Sequence, residues 1–243
     1  PTMAQHHPRT IIADTSMLRE WSLEESLAFY RERFADADDF TFTFVGNIDP
    51  ATLQPLVERY LGSLPRTEGA EQPTDHDVRP PAGVVEKTVR KGLEPQAMTQ
   101  VVFSGPFAYD ARSRHLLRSL SDVLEIRLRD ELREELGGTY GVAVGAQYDH
   151  APWAHYALLL QFGASPAALD TLAAAAFTEI RRLQEQGPSA ELLAKVQELQ
   201  RRELEEGLRQ NGYWVTNLSA RTLTGEAPLS PEQQRAFIEG LTI

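Results

Sequence analysis

An α+β fold, with an antiparallel sheet covered by helices on one face, is what the order of apolar patterns along the chain predicts. Apolar runs of strand length occupy residues 84–91, 98–105, 139–148 and 155–162. Longer patterns of helical period occupy residues 110–136, 166–185, 189–210 and 213–223. Strand patterns that precede most of the helical ones favour an α+β domain over the strict alternation of a parallel α/β fold.

The N-terminal residues hold three shorter patterns. Apolar spacing predicts a helix over residues 23–35, and phenylalanine alternates with threonine over residues 40–46, as in a half-buried strand. Asp49 and Pro50 are typical of the cap and first position of a second helix. One strand is too little sheet to close a core. We therefore expect residues 1–65 to be the C-terminal part of an incomplete α+β domain.

A polar stretch separates this part from the rest of the chain. Residues 66–83 have no apolar periodicity and are rich in Pro, Gly and acidic residues, which is typical of a linker. Residues 84–243 then form a second α+β domain. Because residues 241–243 begin an apolar run, truncation of this domain at its C-terminus is one alternative.

The predicted sheet of the second domain has a defined inner face. We expect residues 97–105, 139–148 and 155–162 to form one antiparallel sheet, with the helices after Asp110 and Pro166 packed on the same face. In the second of these strands valines alternate with glycines and alanines, so that bulky side chains point to one face only.

Composition excludes several function classes. The formal net charge is −11, and an acidic surface without a long Lys/Arg stripe repels the phosphates of nucleic acid. The chain has no cysteine, which excludes thiolate zinc sites and a cysteine nucleophile. No apolar run has the length that a membrane span requires. The compartment stays open, because bacterial periplasm and cytoplasm both accept a chain without cysteine.

The sequence contains no motif of a complete hydrolytic site. H-E-x-x-H and H-x-x-E-H, the helical motifs that bind zinc and activate a water molecule, are both absent. His150 and His155 flank a proline turn and are expected to face different ways. The glutamate-rich residues 197–206 are better explained as a solvated helix face with ion pairs. We therefore expect neither a metal ligand nor a catalytic residue in this chain.

Three short segments resemble a known family. Residues 42–50 (FTFVGNIDP) and 56–65 (LVERYLGSLP) form a strand, a turn and a helix, and residues 132–142 (LREELGGTYGV) end the long helix. They resemble the pitrilysin/insulinase family of zinc metallopeptidases, in which H-x-x-E-H is the zinc motif. The surrounding order of helices and strands also fits, so the resemblance covers about residues 22–223.

The resemblance implies the place of this chain in such an enzyme. Family members have two halves, each of two similar α+β domains, which close around a peptide, and the zinc lies in the first domain. This chain is similar to the end of the third domain and most of the fourth, in the non-catalytic C-terminal half. It would carry no cofactor itself, with zinc in the N-terminal half. Its partners would be that half, on the same or a separate chain, and a peptide or unfolded polypeptide substrate.

The resemblance also implies two substrate-binding residues. The C-terminal half of the family contributes an arginine and a tyrosine that reach the substrate near the scissile bond, and Arg133 and Tyr140 match their spacing. A cation is favoured at a helix end, and its guanidinium can bind a carbonyl or carboxylate. Gly137 and Gly138, the supporting turn, allow a tight reversal that brings both side chains to one edge. The alternative is a capping arginine and a packed tyrosine.

Two functions from different classes remain open. The first is a non-catalytic C-terminal fragment of a zinc metalloendopeptidase, which holds extended peptide opposite a zinc site located elsewhere. The alternative is a catalytically silent scaffold or assembly module of the same fold. The presence of Arg133 and Tyr140 favours the first function, because a scaffold has no need of them.

Overall fold

The structure is a computed structural model that describes residues 2–66 and 73–242. The chain packs into two compact units. The first unit combines Pro1–Val85 with Gly207–Pro228, and the second combines Glu86–Glu206 with Leu229–Ile243. The domain boundaries inferred from the sequence remain predictions, and residues 67–72 of the predicted linker lie outside the described residues.

Helices make up most of the regular structure. Within the described ranges the helices are α1 (Met17–Glu20), α2 (Leu23–Arg33), α3 (Pro50–Tyr60), α4 (Ala111–Arg129), α5 (Leu169–Gln186), α6 (Ala190–Gly207), α7 (Asn211–Thr224) and α8 (Pro231–Glu239). The strands are β1 (Ala97–Pro106), β2 (Val142–Asp149) and β3 (His155–Ala164). A π-helical segment, Asp130–Glu135, continues α4. In the part of the chain that the structure describes, no helix is long and apolar enough to cross a membrane.

The sheet of the second unit is antiparallel, with β3 between β1 and β2. Val142 lies opposite Phe162, and Val144 lies opposite Leu160. Leu160 is in turn opposite Val101 of β1. Since side chains alternate between faces, this register puts Val101, Val142, Val144, Leu160 and Phe162 on one face.

The helices α4 and α5 cover that face and form the core with it. Its buried members are Leu124, Leu128, Leu132, Val142, Leu158, Leu160, Phe162, Leu172 and Ala176. They come from α4, the π-helical segment, α5, β2 and β3. The predicted α+β class, with an antiparallel sheet and helices on one face, is therefore confirmed.

Polar contacts fasten α6 to its neighbours in the second unit. The side-chain amide of Gln200 donates to Ser119 Oγ at 3.0 Å and to Asp122 Oδ2 at 2.6 Å. Burial raises the pKa of Asp122, and the hydrogen bond from Gln200 acts against this rise. One turn earlier, Gln197 Nε2 donates to the carbonyl of Ile238 at 3.0 Å. These bonds hold α6 between α4 and the C-terminal segment.

The helix α8 packs an aromatic ring on His115 of α4. The rings of His115 and Phe237 are stacked with centroids 5.8 Å apart. The Nε2 atom of His115 is buried and has no hydrogen-bond partner among the described residues. Burial lowers the pKa of His115 and the charge of Arg118 lowers it further, whereas the Phe237 backbone and Asp122 oppose this. Protonation would place a charge on a half-buried ring, which burial disfavours.

The helices of the first unit begin as their sequences predict. Ser22 Oγ accepts the backbone N–H of Glu25 at the start of α2. Asp49 accepts the N–H of Ala51 at the start of α3. Residues 207–228 of this unit contain α7. Trp214 of α7 lines an apolar cleft with Phe44, Ile48, Pro50, Leu53 and Leu218.

The first unit has little buried apolar surface. Tyr30, Phe34, Phe40 and Phe42 form a row of stacked rings with centroids 4.4 to 6.3 Å apart, and each ring remains substantially exposed. The predicted strand over residues 40–46 was wrong, because this stretch pairs with no other in the described residues. An extended segment becomes a strand only when a neighbouring segment forms hydrogen bonds with its backbone N–H and C=O groups.

Other predicted limits also need correction. Residues 84–91, predicted as a strand, are irregular, with Val84 90% and Val89 78% exposed. The strand predicted to begin at residue 139 begins at Val142, since residues 139–141 complete the preceding turn. The helix α8 had not been predicted at all, although Ser230 and Gln233 form a capping box at its start.

We predict rapid amide hydrogen exchange over residues 41–45. None of these amides donates a backbone hydrogen bond within the described residues, whereas those of β3 lie in the middle of a sheet. Exchange followed by mass spectrometry should give protection for β3 and almost none for 41–45. Slow exchange at 41–45 in a proven monomer would show that the first unit is self-sufficient.

A pH-dependent stability is expected from His115. Its pKa in the folded chain lies below the ordinary value of 6.5, so the neutral ring stabilises the fold above that pH and the contribution is lost as the pH falls further. We expect the free energy of unfolding in urea to fall between about pH 7.5 and about pH 5.5. This fall should be smaller for His115→Gln than for the unchanged chain. His76→Gln, at an exposed position, is the control. Equal losses in all three proteins would contradict the expectation.

Candidate functional site

The candidate site lies where α4 and the π-helical segment end, and two stripes of side chains lead to it. The buried stripe consists of residues four apart: Leu124, Leu128 and Leu132. The residue after each leucine belongs to what we name the charged stripe: Glu125, Arg129 and Arg133. Residues four apart share a helix face, so the charged stripe runs along the border of the core.

The segment Asp130–Glu135 winds more widely than an α-helix. The N–H of Leu136 donates to the carbonyl of Glu131 at 3.1 Å, a bond that spans five residues. The N–H of Gly138 then donates to the carbonyl of Leu132, also at 3.1 Å. The wide turn keeps Leu132 fully buried and leaves Arg133 on the surface. Such π-helical turns occur frequently at functional sites.

Gly137 and Gly138, which follow this segment, have different structural roles. Gly137 has a φ of 59°, in the left-handed region that favours glycine at the end of a helix. Gly138 lies against α5, since a Cβ atom added to it would lie 2.7 Å from Leu172 Cδ2. The first glycine thus reverses the chain, and the second allows the turn to lie directly on the core.

Thr139 ties the turn to the start of β2. This residue is buried, and its Oγ1 both donates to the carbonyl of Gly141 at 3.0 Å and accepts the N–H of Gly141 at 3.2 Å. Tyr140 lies between them with its side chain fully exposed. Among the described residues the ring of Tyr140 has no packing partner, which does not favour the packed-tyrosine alternative.

Arg133 is also on the surface. Its side chain is 51% exposed, and among the described residues its ion pair is a 3.6 Å approach of Nε to Glu134 Oε1, with both groups open to solvent. An exposed pair of this kind contributes little and leaves the guanidinium free to rearrange. Within the described residues no hydrogen bond joins Arg133 to Tyr140. Their convergence on one groove remains a prediction.

A contact that the sequence analysis missed connects the charged stripe to β2. Glu125 Oε2 accepts the backbone N–H of Val144 at 3.4 Å, and Glu125 Oε1 is paired with Arg129. The sequence offered a signal for the ion pair, since the two residues are four apart on a predicted helix. It offered none for the bond to a strand 19 residues away.

The described residues fit no zinc site. None of their groups of His, Asp and Glu could hold a metal ion. His155 instead lies 3.0 Å from the carbonyl of Trp153 and 3.4 Å from a carboxylate oxygen of Asp149. A cavity of about 370 Å³ between α4, α5 and α6 contains the Arg127–Glu179 ion pair but neither Arg133 nor Tyr140. The candidate site is thus an open surface.

Gly138→Ala should destabilise the second unit by about 1–3 kcal/mol, the usual cost of overpacking, because the new methyl group would overlap Leu172. Gly141→Ala is the matched control, since a Cβ atom there has nothing within 4 Å. Urea denaturation monitored by circular dichroism measures both variants. Equal midpoints for the two would mean that the turn can shift away from α5 without cost.

Comparison with known proteins places these features in a family. Residues 20–199 match the family model described as the peptidase M16 inactive domain. Among curated proteins, a zinc protease PQQL-like protein of Arabidopsis thaliana is 26% identical over 217 residues, which are 84% of this chain and 23% of that protein.

Solved structures share the fold. The periplasmic protease PqqL from Escherichia coli superposes with a TM-score of 0.80 at 22% identity, over 96% of this chain and 26% of that one. The ferredoxin protease FusC in complex with Arabidopsis ferredoxin superposes with a TM-score of 0.69 at 16% identity, over 98% of this chain and 27% of that one.

Two conclusions follow from these matches. The chain spans about a quarter of the length of these relatives. The resemblance found in three short segments of the sequence is confirmed by a match to most of the chain. This chain belongs to the peptidase M16 inactive-domain family of the pitrilysin/insulinase zinc proteases.

Proposed function

We propose that this chain is the substrate-holding part of a zinc metalloendopeptidase. It would bind an extended peptide opposite a zinc site that belongs to an N-terminal catalytic half, on the same or a separate polypeptide. Zinc, when bound in that half, activates the water that attacks the peptide bond. The residues of this chain would bind and orient the peptide.

One observation carries this proposal: Arg133 and Tyr140 leave opposite ends of a turn that is packed on the core, and both are exposed. Gly137 and Gly138 make the connection short, and Leu172 supports it from below. Donors held on a rigid base lose little conformational freedom when they bind a ligand. The pair is therefore suited to bind carbonyl groups of an extended peptide.

The chemistry of the two donors fits a role in turnover as well as in affinity. A guanidinium and a phenol both donate hydrogen bonds to a peptide carbonyl, and the bond from the charged group is the stronger one. When the carbonyl becomes a tetrahedral oxyanion, a positioned cation or O–H group stabilises it more than it stabilises the ground state. Arg133 and Tyr140 would then lower the barrier of a reaction whose catalytic centre lies in the other half.

A protein substrate has some support from a relative. The ferredoxin protease FusC was solved, as a mutant, in complex with Arabidopsis ferredoxin. We extend this to the present chain only as a class of substrate, a peptide or an unfolded polypeptide.

The scaffold function has one observation in its favour. The row of stacked rings in the first unit, Tyr30, Phe34, Phe40 and Phe42, is partly exposed and would suit a subunit contact. A scaffold would have no use for Arg133 and Tyr140, so substitutions at these positions separate the two functions.

Binding of a fluorescein-labelled dodecapeptide of Thr, Ser and Val tests the proposal. Arg133→Ala and Tyr140→Phe should each raise the Kd about five- to tenfold, as expected for the loss of one hydrogen bond to a ligand. In a protein that also contains the zinc-binding half, kcat should fall with them. The controls are Arg112→Ala at the far end of α4 and Tyr60→Phe on α3, both exposed. Unchanged Kd and kcat in both test variants would leave the scaffold function.

A further inference from the structure

The outer edge of β2 presents backbone groups with room for another strand. β2 pairs with β3 on one side, and in the part of the chain that the structure describes no strand lies on its other side. A free edge offers alternate N–H and C=O groups that need partners. One of them has a partner already, because the N–H of Val144 donates to Glu125 Oε2.

The bond from Val144 identifies which residues face outward. In an antiparallel ladder, residues that alternate along a strand direct their N–H and C=O groups to opposite edges. Since the N–H of Val144 leaves the side away from β3, Val142 and Ala146 present their backbone groups on that same side. Their side chains pack on the core, so their conformation is held from the inner face.

Glu125 also connects this edge to Arg129 of the charged stripe. The turn at Gly137 and Gly138 makes β2 run back along α4, and the two elements are in contact. Arg129 binds the other carboxylate oxygen of Glu125. Arg133 lies one helical turn beyond Arg129, toward the start of β2 and Tyr140. The guanidinium of Arg129 is thus linked through Glu125 to a strand edge whose N–H is bound to a carboxylate oxygen.

We propose that the outer edge of β2 takes up an extended peptide as an added strand, and that Glu125 occupies the place of a peptide carbonyl until that strand binds. On binding, a carbonyl of the peptide replaces Glu125 Oε2 at the Val144 N–H. Glu125 then keeps only its ion pair with Arg129. This inference rests on the proposed function, and it adds the mode of binding and a further positioning residue.

A peptide suits this edge better than a second copy of the chain. The face of β2 away from the core carries Ala143, with a single methyl group, and Gly145, which has no side chain, and this leaves space for the side chains of a bound strand. Arg129 and Arg133 complement the carbonyl oxygens and the terminal carboxylate of a peptide. A second β2 strand would bring another Glu125 to the same edge of an already acidic chain.

The test compares two forms of one probe. The first is the labelled dodecapeptide of Thr, Ser and Val, and the second is the same peptide with its central backbone nitrogens methylated. Methylation removes the N–H donors and leaves every side chain in place. Added-strand binding requires those donors, so the methylated peptide should bind at least tenfold more weakly to the unchanged chain.

Variants at Glu125 then test whether its carboxylate occupies the place of a peptide carbonyl at the Val144 N–H. Glu125→Ala frees the Val144 N–H and should bind the unmethylated peptide roughly three- to tenfold more tightly, as expected when one competing hydrogen bond is removed. Glu125→Gln keeps an oxygen for that N–H and should stay within about twofold of the unchanged chain. The control is Glu203→Ala on α6, which removes a carboxylate that is paired with Arg118 of α4. It should leave the Kd unchanged.

The outcomes separate this inference from the function on which it rests. Equal binding of both peptides, with Glu125→Ala unchanged but Arg133→Ala weakened, would overturn the added-strand inference and leave the proposed function standing. No binding of either peptide to the unchanged chain or to Glu125→Ala would overturn both. Dimerisation of Glu125→Ala in sedimentation experiments, without any gain in peptide affinity, would make a second copy the occupant and also overturn the inference.

Discussion

Gly138 lies so close to Leu172 that a side chain of any size at this position would overlap it. The contact brings the end of the π-helical segment down onto α5, and it therefore decides where β2 can begin. Leu132 is fully buried because the segment approaches so closely, and Phe162 closes the core opposite Val142. The positions of the exposed residues follow from this packing. Arg133 comes directly after a buried leucine, and Tyr140 comes directly after a buried threonine, and both side chains are exposed.

The two units differ in how much of their apolar surface is covered. In the second unit, leucines of α4 and α5 meet the valines and leucines of the sheet in one core. In the first unit Trp21, Phe29 and Tyr60 are each more than half exposed. Burial of apolar area is the main favourable term in folding, so the second unit has the means to hold a site in place and the first does not. It is consistent with this that the candidate residues lie in the second unit, on the border of its core.

Sequence patterns predicted those parts of the fold that local chemistry decides. The caps Ser22 and Asp49 start their helices as predicted, and Leu124 and Leu128 of α4 face the core as predicted, whereas Leu116 and Leu120 are exposed. Patterns failed where the outcome depends on a distant partner. Residues 40–46 and 84–91 have the composition of strands, but a strand forms only when a neighbour accepts its hydrogen bonds, and among the described residues none does. The wide turn at Asp130–Glu135 also escaped prediction, because it arises from the packing of Leu132 and Gly138 on α5 and not from a preference of its own residues. At the candidate site, the sequence led to Arg133, Tyr140 and the two glycines. Glu125 could not have been found, since its role depends on a bond to a strand on the far side of the turn.

That bond bears on how this chain would hold a peptide in the proposed function. A peptide bond is cut efficiently only if the peptide is held extended and in one register, and a strand edge fixes both through the main chain, whatever the side chains are. Arg133 and Tyr140 alone would hold one or two carbonyl groups and leave the rest of the peptide free. β2 begins two residues after Tyr140, and in the proposed binding mode the same peptide would meet the edge and the two donors together. A free edge of this kind also invites association with other chains. The carboxylate of Glu125 covers one of its donors with a negative charge that a second acidic chain would meet first. The side chain of Glu125 would then have two roles. It would hinder non-specific pairing at the edge, and a carbonyl of a bound peptide would displace it from the Val144 N–H.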